Sequence, residues 1–453
     1  MARPHVGTPR RMKDQPSDQP GDHPADRTNG EPKNVFVLGL DARNRELLRD
    51  LPHLSDVRFH ELLSQEELAQ DEQVSLRALL DLAEERLAAF GGTVDALVGY
   101  WDFPVSSMVP ILCARHGLPS PSLESVVKCE DKYWSRLEQR KVSDAHPRFG
   151  LVDLDDPKLP PELSYPLWVK PVKAFSSELA FRVADAEQFA DAVDRIREGV
   201  GRIGAAFDEV LSLVDLPPDV AEAGAQGACL VEEEISGRQL TVEGYVHDGE
   251  PHVYGVVDSV LYPETSSFLR YQYPSSVPDA VTARLTDVSC RVIRQLGLDH
   301  STFNIEFFWD EDRDRIDVVE VNPRLSQSHA PLFEYVDGVP NHECLISLAL
   351  GRAPRLPYRE GAYAYGAKWF LRRFSDGYVR SVPGQRDLDR VAGELPDTLV
   401  DLNAEEGRRL SELPLQDSYS YELAALYLGA DSEAELTEKY ERCVELLPFT
   451  FDE

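Results

Sequence analysis

Phe303-Asn304-Ile305-Glu306-Phe307 and Ile316-Asp317-Val318-Val319-Glu320-Val321-Asn322-Pro323-Arg324 are the two stretches whose reading decides the fold. Both are apolar runs rich in β-branched and aromatic residues, and the polar Asp310-Glu311-Asp312-Arg313-Asp314-Arg315 between them reads as a hairpin loop. Residues i and i+2 of a strand share a face, so Glu320 and Asn322 point together, and pairing across the hairpin lets Glu306 join them. Such an all-oxygen set suits Mg²⁺ or Mn²⁺, and Mg²⁺ usually takes only one or two carboxylates, with substrate phosphates completing its shell. Pro323 ends the second run because proline removes a ladder donor, which leaves Arg324 at a strand end, where its guanidinium can fork onto phosphate oxygens. A lone E-x-N on a hairpin would ordinarily be solvated. Here the acids are embedded in apolar runs, where an unpaired charge is costly.

Working outward, 453 residues with 42 % hydrophobic content can bury several cores, enough for about two to four domains. The formal charge of −33, from 47 basic against 80 acidic residues, excludes a nucleic-acid binder, which needs a basic surface to displace counterions. An anionic ligand must therefore be caught by a local basic pocket. Cys113, Cys129, Cys229, Cys290, Cys344 and Cys443 show no C-x-x-C pairing, so neither a zinc site nor a disulfide framework is expected, and a cytoplasmic setting fits. No apolar stretch approaches the roughly eighteen residues of a membrane span, and the N-terminus lacks a signal-like apolar region. Residues 1–33, rich in Pro, Asp, Arg, Gly and Gln, read as a disordered tail.

Strands and helices alternate over residues 34–121, starting with Val35-Phe36-Val37-Leu38, continuing through a long amphipathic helix from Glu66 to Phe90 and Val94–Tyr100, and ending with a helix over Val105–His116. This pitch predicts a small parallel α/β domain. A second unit, 122–225, holds a polar helix from Ser125 to Lys141, the strand Leu167–Val172, a long helix from Asp185 and a looser stretch over Asp215–Gln226. A third, 226–355, carries strands on either side of Ser236-Gly237, a helix over Pro278–Leu296 and the Glu306/Glu320 hairpin. The last, 356–453, is a β-rich and helical extension.

Lys170 stands in an otherwise apolar strand: it either meets an anion such as phosphate or sits on an edge with its head in water. The loop after it, Lys173-Ala174-Phe175-Ser176-Ser177, is small enough to cover phosphates but holds no glycine. Lys132 lies early in a helix, and on local grounds reads as a solvated lysine. Glu232-Glu233-Glu234-Ile235 is either a charged turn or an extended hinge whose backbone reads a base edge.

In this order the elements Asp131-Lys132, Trp168-Val169-Lys170-Pro171, Val231-Glu232-Glu233-Glu234-Ile235-Ser236-Gly237, and Glu306 with Glu320-Val321-Asn322-Pro323-Arg324 resemble the ATP-grasp superfamily, in the branch holding carbamoyl-phosphate synthetase, biotin carboxylase and the carboxylate-amine ligases. The similarity covers roughly residues 34–380, and the E-x-N-P-R element is its most specific part. It implies an α/β (α+β) ATP-grasp fold in which an N-terminal pre-ATP-grasp domain precedes two α+β subdomains clamping ATP. It implies that Lys132 and Lys170 contact ATP phosphates, that Glu232, Glu234 and Ile235 hold adenine, and that Ser176 and Ser177 belong to a mobile phosphate-covering loop. Glu306, Glu320 and Asn322 would ligate Mg²⁺ (or Mn²⁺), and Arg324 would steady the transferring phosphoryl group. Two departures stand out: Gln239 occupies a position where members often place an acid for the ribose hydroxyls, and Ser328 stands where biotin carboxylase would show a glutamate.

The expected activity is that of an ATP-dependent ligase activating a small carboxylate, amino acids included, as an acyl phosphate for attack by an amine. Arg270 is a candidate carboxylate partner or a surface arginine, and His329 either orients substrate or is a packed, hydrogen-bonded histidine. The expected partners are small molecules, with no nucleic acid and no membrane, and with homo-oligomerisation left open. Competing readings are a bicarbonate-activating, carboxyphosphate-forming enzyme, which would need bicarbonate for ATP turnover, and a non-catalytic ATP-binding protein.

Overall fold

The computed structural model describes residues 31–49, 51, 54–68, 75–173, 179–413 and 420–452. The tail expected over 1–33 lies outside these residues except for its last three, and Lys33 already opens β1 (Lys33–Leu38). There follow α1 (Ala42–Arg49), β2 (Val57–Leu63), α2 (Gln65–Leu68), α3 (Leu76–Ala89), β3 (Ala96–Val98) and α4 (Val105–His116). β1 lies between β2 and β3 in a parallel three-stranded sheet. Its run Val35-Phe36-Val37-Leu38 is buried throughout, as a parallel strand covered on both faces requires. The helix expected from Glu66 to Phe90 is divided. α3 starts afresh where Ser75 caps the Ala78 N–H.

A second break separates α5 (Leu123–Glu130) from α6 (Lys132–Val142), where one helix was expected. Asp131 adopts extended backbone between them, and its carboxylate accepts a 2.8 Å hydrogen bond from the Trp134 N–H, capping α6 and placing Lys132 in its first turn. Burial pushes the Asp131 carboxyl up to about 6 despite that bond.

The next unit is a four-stranded antiparallel sheet, ordered β4-β7-β5-β6, from β4 (Phe149–Asp153), β5 (Leu167–Pro171), β6 (Phe181–Val183) and β7 (Ala228–Glu233), with α7 (Ala186–Gly199), α8 (Gly201–Leu211) and α9 (Pro218–Gly227) between. α9 occupies the stretch expected to be loose, because Pro218 can start a helix where its missing N–H costs nothing. β7 falls beyond the division expected at 225/226 and yet pairs with both β4 and β5, so this sheet closes only at Glu233.

Then come β8 (Arg238–His247), β9 (Glu250–Leu261), β10 (Phe268–Tyr273), α10 (Asp279–Leu296), β11 (Ser301–Asp310), β12 (Arg315–Asn322), α11 (Ala330–Asp337), α12 (His342–Ala349), β13 (Tyr365–Arg373), β14 (Tyr378–Ser381), α13 (Gln385–Glu394), β15 (Leu399–Leu402), β16 (Tyr421–Ala430), α14 (Glu433–Leu446) and β17 (Thr450–Asp452). Eight of these strands make one antiparallel sheet in the order β12-β11-β8-β9-β10-β13-β16-β15. Within residues 356–453, β13, β15 and β16 continue the sheet that bears the hairpin. One face is covered by α10, with Leu285 and Val292 packed among Leu240, Phe303, Ile305 and Phe307, each worth about 1.5–3 kcal/mol on burial. Leu388 of α13 and Leu436 of α14 cover the same face further along, against Trp369 and Leu426. The first domain docks through Val35, Val37 and Val98 onto Leu325 and α12.

Candidate active site

β11 and β12 set the geometry. Glu306 lies directly opposite Glu320, and Asn304 opposite Asn322, so both acids and the Asn322 amide share one face, opposite to Phe307 and α10. Just past this pair the register slips: Phe307 faces Val318, and Val319 becomes the extra residue of a β-bulge. The two carboxylates diverge in protonation. Burial, followed by the charge of Glu320, pushes Glu306 up to about 7. For Glu320, burial is outweighed by Lys132, whose Nζ lies 2.6 Å from Oε1, and the carboxyl is held below its ordinary value. Asn322 donates its Nδ2 to Asn304 Oδ1 at 3.0 Å, which turns Asn322 Oδ1 into the acceptor available to a cation.

The lysines arrive from two other elements. Lys132 joins the end of β5 through its backbone N–H, 3.0 Å from Val172 O, while its ammonium reaches across to Glu320. Lys132 is therefore not the solvated helix lysine that its local sequence suggests, since only 15 % of its side chain is exposed. Lys170 is no edge lysine either: β5 lies between β7 and β6, and its Nζ sits 2.5 Å from Glu232 Oε2. Burial, with Arg136 and Lys132 nearby, lowers the Lys170 ammonium against the pull of Glu232. Glu232 also takes the Arg136 Nε at 2.5 Å, and these two cations hold its buried carboxyl down at about 2. The Glu232 carboxylate is thus enclosed between Arg136 and Lys170.

Arg324 forms a fork here with a protein carboxylate, where phosphate oxygens were expected. Its Nε and Nη2 lie 2.7 and 2.9 Å from Asp102 Oδ1 and Oδ2, in the loop between β3 and α4 of the first domain. Burial works against ionising Asp102, and Arg324, with Lys173 and Lys132 beyond, overcomes it and holds the carboxyl low. Around Arg324 stand Glu306 and Glu243, so the guanidinium belongs to the same electrostatic cluster as the acidic pair.

The remaining expected residues divide. Glu234 and Ile235 lie in the link between β7 and β8; the Glu234 carboxylate pairs with Arg182 at 2.6 Å and Ile235 is partly buried. Gly237, in the same link, has φ +135°, and a Cβ there would come within 2.2 Å of the Trp309 carbonyl oxygen, so no side chain fits. Ser176 and Ser177 lie outside the described residues. Gln239 reaches Glu306 Oε2 with its Nε2 at 3.3 Å. His329 is the packed, hydrogen-bonded histidine: 2 % exposed, its Nδ1 lies 2.8 Å from Glu243 Oε1. Arg270 is misplaced by the sequence reading. It pairs with Val260 and Trp369, one residue out of phase with Tyr271, and therefore faces away from Glu306, with its guanidinium 4.7 Å over the Trp369 ring and 4.0 Å from Glu433 of α14.

Two residues escaped the sequence reading. Arg136 joins three elements, because its Nη2 also donates at 2.8 Å to the bulged Val319 carbonyl while its Nη1 meets Gln139 Oε1 at 2.6 Å. Asp102 lies 222 positions from its partner Arg324. No local spacing signals either contact. Among the described residues no three or more His, Cys, Asp and Glu side chains are grouped to hold a metal alone. Two facing carboxylates plus an amide oxygen are instead an incomplete all-oxygen set, of the sort that a nucleotide-bound Mg²⁺ completes with phosphate and water.

Two antiparallel sheets thus meet over a cluster of cations and paired acids. Residues 163–331 match the ATP-grasp domain model, and the fold is the ATP-grasp fold. It is 32 % identical over 109 residues to a D-alanine--D-alanine ligase of Acidiphilium cryptum, covering 23 % of this chain and 36 % of that one. Over 76 residues it is 36 % identical to the carbamoyl phosphate synthase large chain of Kocuria rhizophila, covering 17 % and 7 %. The chain thus spans about a third or less of these curated relatives. Its fold resembles that of an L-amino acid ligase from Bacillus licheniformis at a TM-score of 0.67 and 15 % identity, covering 94 % of this chain and 100 % of that one. Among the described residues, no helix is long and apolar enough to cross a membrane.

Proposed function

We propose that the protein is an ATP-dependent carboxylate-amine ligase, which activates a small carboxylic acid as its acyl phosphate and passes the acyl group to an amine. The observation that carries this reading is the pairing of Glu306 with Glu320 on one sheet face, within the field of Lys132, Lys170 and Arg324. Bound metal ions, added to Lys132, Lys170 and Arg324, would let a chain of net charge −33 hold a polyanion there. The names of its relatives, ligases among them, support the same reading.

A carboxylate is a poor electrophile because its leaving group would be oxide, and phosphorylation removes that obstacle. The protein's work is then positioning and charge stabilisation. Glu306, Glu320 and Asn322 would hold Mg²⁺ or Mn²⁺, which supplies neutralisation of the nucleotide's β- and γ-phosphate charge. Lys132 and Lys170 would receive phosphate oxygens, each exchanging part of its present carboxylate partnership for them. The Arg324 guanidinium would release Asp102 and turn its fork to the phosphoryl group or to the acid being activated. The Glu234–Ile235 link, between the two sheets, offers backbone groups for the adenine edge. All six cysteines are free, which supports a reducing, cytosolic setting.

The test is product formation: ADP and phosphate should appear only when a suitable acid and a suitable amine are both supplied with ATP·Mg²⁺. Turnover that needs bicarbonate instead, or none with any acid and amine, would refute the ligase assignment.

A further inference from the structure

Beyond the ATP-grasp elements, the face that bears Glu306 continues across the sheet. Parity carries it from Thr241 to Val257 and Ser259, from Ser259 to Tyr271, and from Tyr271 to Lys368 and Tyr427. Tyr271 feels the charge of Glu306, so the field of the acidic pair reaches across this face to the strand beside Lys368. Lys368 is partly buried, and its ammonium has one hydrogen bond, to Ser328 Oγ at 3.0 Å. Among the described residues no carboxylate lies within ion-pair distance of it, in a chain carrying 80 acidic residues. Aromatic rings surround it instead: Phe370 at 4.4 Å and Tyr427 at 5.7 Å from Nζ, with Tyr271 edge-on to Phe370. Cation–π contacts offset only part of the cost of desolvating an ammonium. Ser328, four residues past Arg324, ties this lysine to the turn that leaves the metal-binding strand.

We infer that Lys368 is the carboxylate-binding residue of the amine substrate's subsite, and that this substrate is an α-amino acid whose side chain lies against Tyr271 and Phe370. The inference rests on the ligase reading for the identity of the second substrate. The geometry is suited to it: the Ser328 contact sets the Lys368 ammonium beside the turn that follows Arg324, and an amino acid whose carboxylate meets Lys368 presents its amine on the face that bears Glu306. The ammonium would exchange a single hydroxyl acceptor for a charge-assisted hydrogen bond.

The experiment is a thermal-shift and calorimetric comparison of the full chain and Lys368→Met, in ADP·Mg²⁺, against the twenty L-amino acids and their C-terminal amides. The wild-type chain should bind one or more apolar or aromatic amino acids at least tenfold more tightly than the matching amides. Lys368→Met should lose that preference while its unliganded melting temperature and its ADP·Mg²⁺ affinity stay near wild type. A variant that keeps the preference for the carboxylate, or a wild-type chain that binds no amino acid, overturns the assignment. Failure of the ligase reading looks different: amino acids still bind through Lys368, yet no acid and amine support ATP turnover.

Discussion

Replacing Arg136 by Met should expose how the two sheets are held in register over the site. The guanidinium makes three contacts, to Glu232 at 2.5 Å, Gln139 at 2.6 Å and the bulged Val319 carbonyl at 2.8 Å, and its side chain is only 3 % exposed. Met fills similar volume and restores none of them. Breaking a buried ion pair by removing one partner costs about 3–5 kcal/mol, and Lys170, which stays beside Glu232, keeps the loss toward the lower end. At about 2–4 °C per kcal/mol for a domain of some 150–250 residues, the melting temperature should fall by roughly 6–12 °C. Its pH dependence is also fixed in sign. Glu232 is held at about 2, below its ordinary 4.5, so its stabilisation is present above the unfolded value and is lost as pH falls toward 2. The gap between wild type and Arg136→Met should therefore be full at pH 7 and narrow below about pH 4. The double variant Arg136→Met/Glu232→Gln should lose clearly less than the sum of the single losses. A melting temperature within about 1 °C of wild type at pH 7, with no coupling in the cycle, would show that the pair holds nothing in place.

Glu306, pushed up to about 7, must lose its proton before it can ligate a cation, so ATP·Mg²⁺ affinity should climb as pH rises from 6 to 8. Calorimetry in buffers of different ionisation enthalpy should detect proton release at pH 6.5 that Glu306→Gln abolishes; equal release in both would exclude Glu306 as a ligand. Asp102→Asn frees the Arg324 fork, and should lower the unliganded melting temperature while enlarging the stabilisation given by ADP with phosphate. An unchanged ligand-induced shift would mean that Arg324 does not meet phosphate. Arg270→Ala, on the opposite face, should leave turnover within about twofold of wild type, a rate comparison that a large loss would contradict.

What the sequence made legible was local. Glu306, Glu320 and Asn322 could be placed together because strand periodicity is short-range, and Pro323 marks where it stops. The face of Arg270 was not legible, since it depends on parity carried from β11 over β8 and β9 to β10, a route that starts between strands far apart in the chain. β16 escaped because Tyr421–Ala430 is buried on both faces, which erases the alternation that announces a strand. The break at Asp131 was hidden in a run that reads as continuous helix, where only the capping bond to Trp134 reveals the restart. Arg136 and Asp102 find their partners at separations of 96 and 222 residues, distances at which composition carries no trace.

The most direct measurement is ATP affinity with and without Mg²⁺ for the wild-type chain and for Glu306→Gln/Glu320→Gln. Chelation of the ion between this pair and the nucleotide predicts that Mg²⁺ tightens binding at least tenfold in the wild type, and that the double variant, still folded, shows no such gain. Equal tightening by Mg²⁺ in both proteins would contradict it.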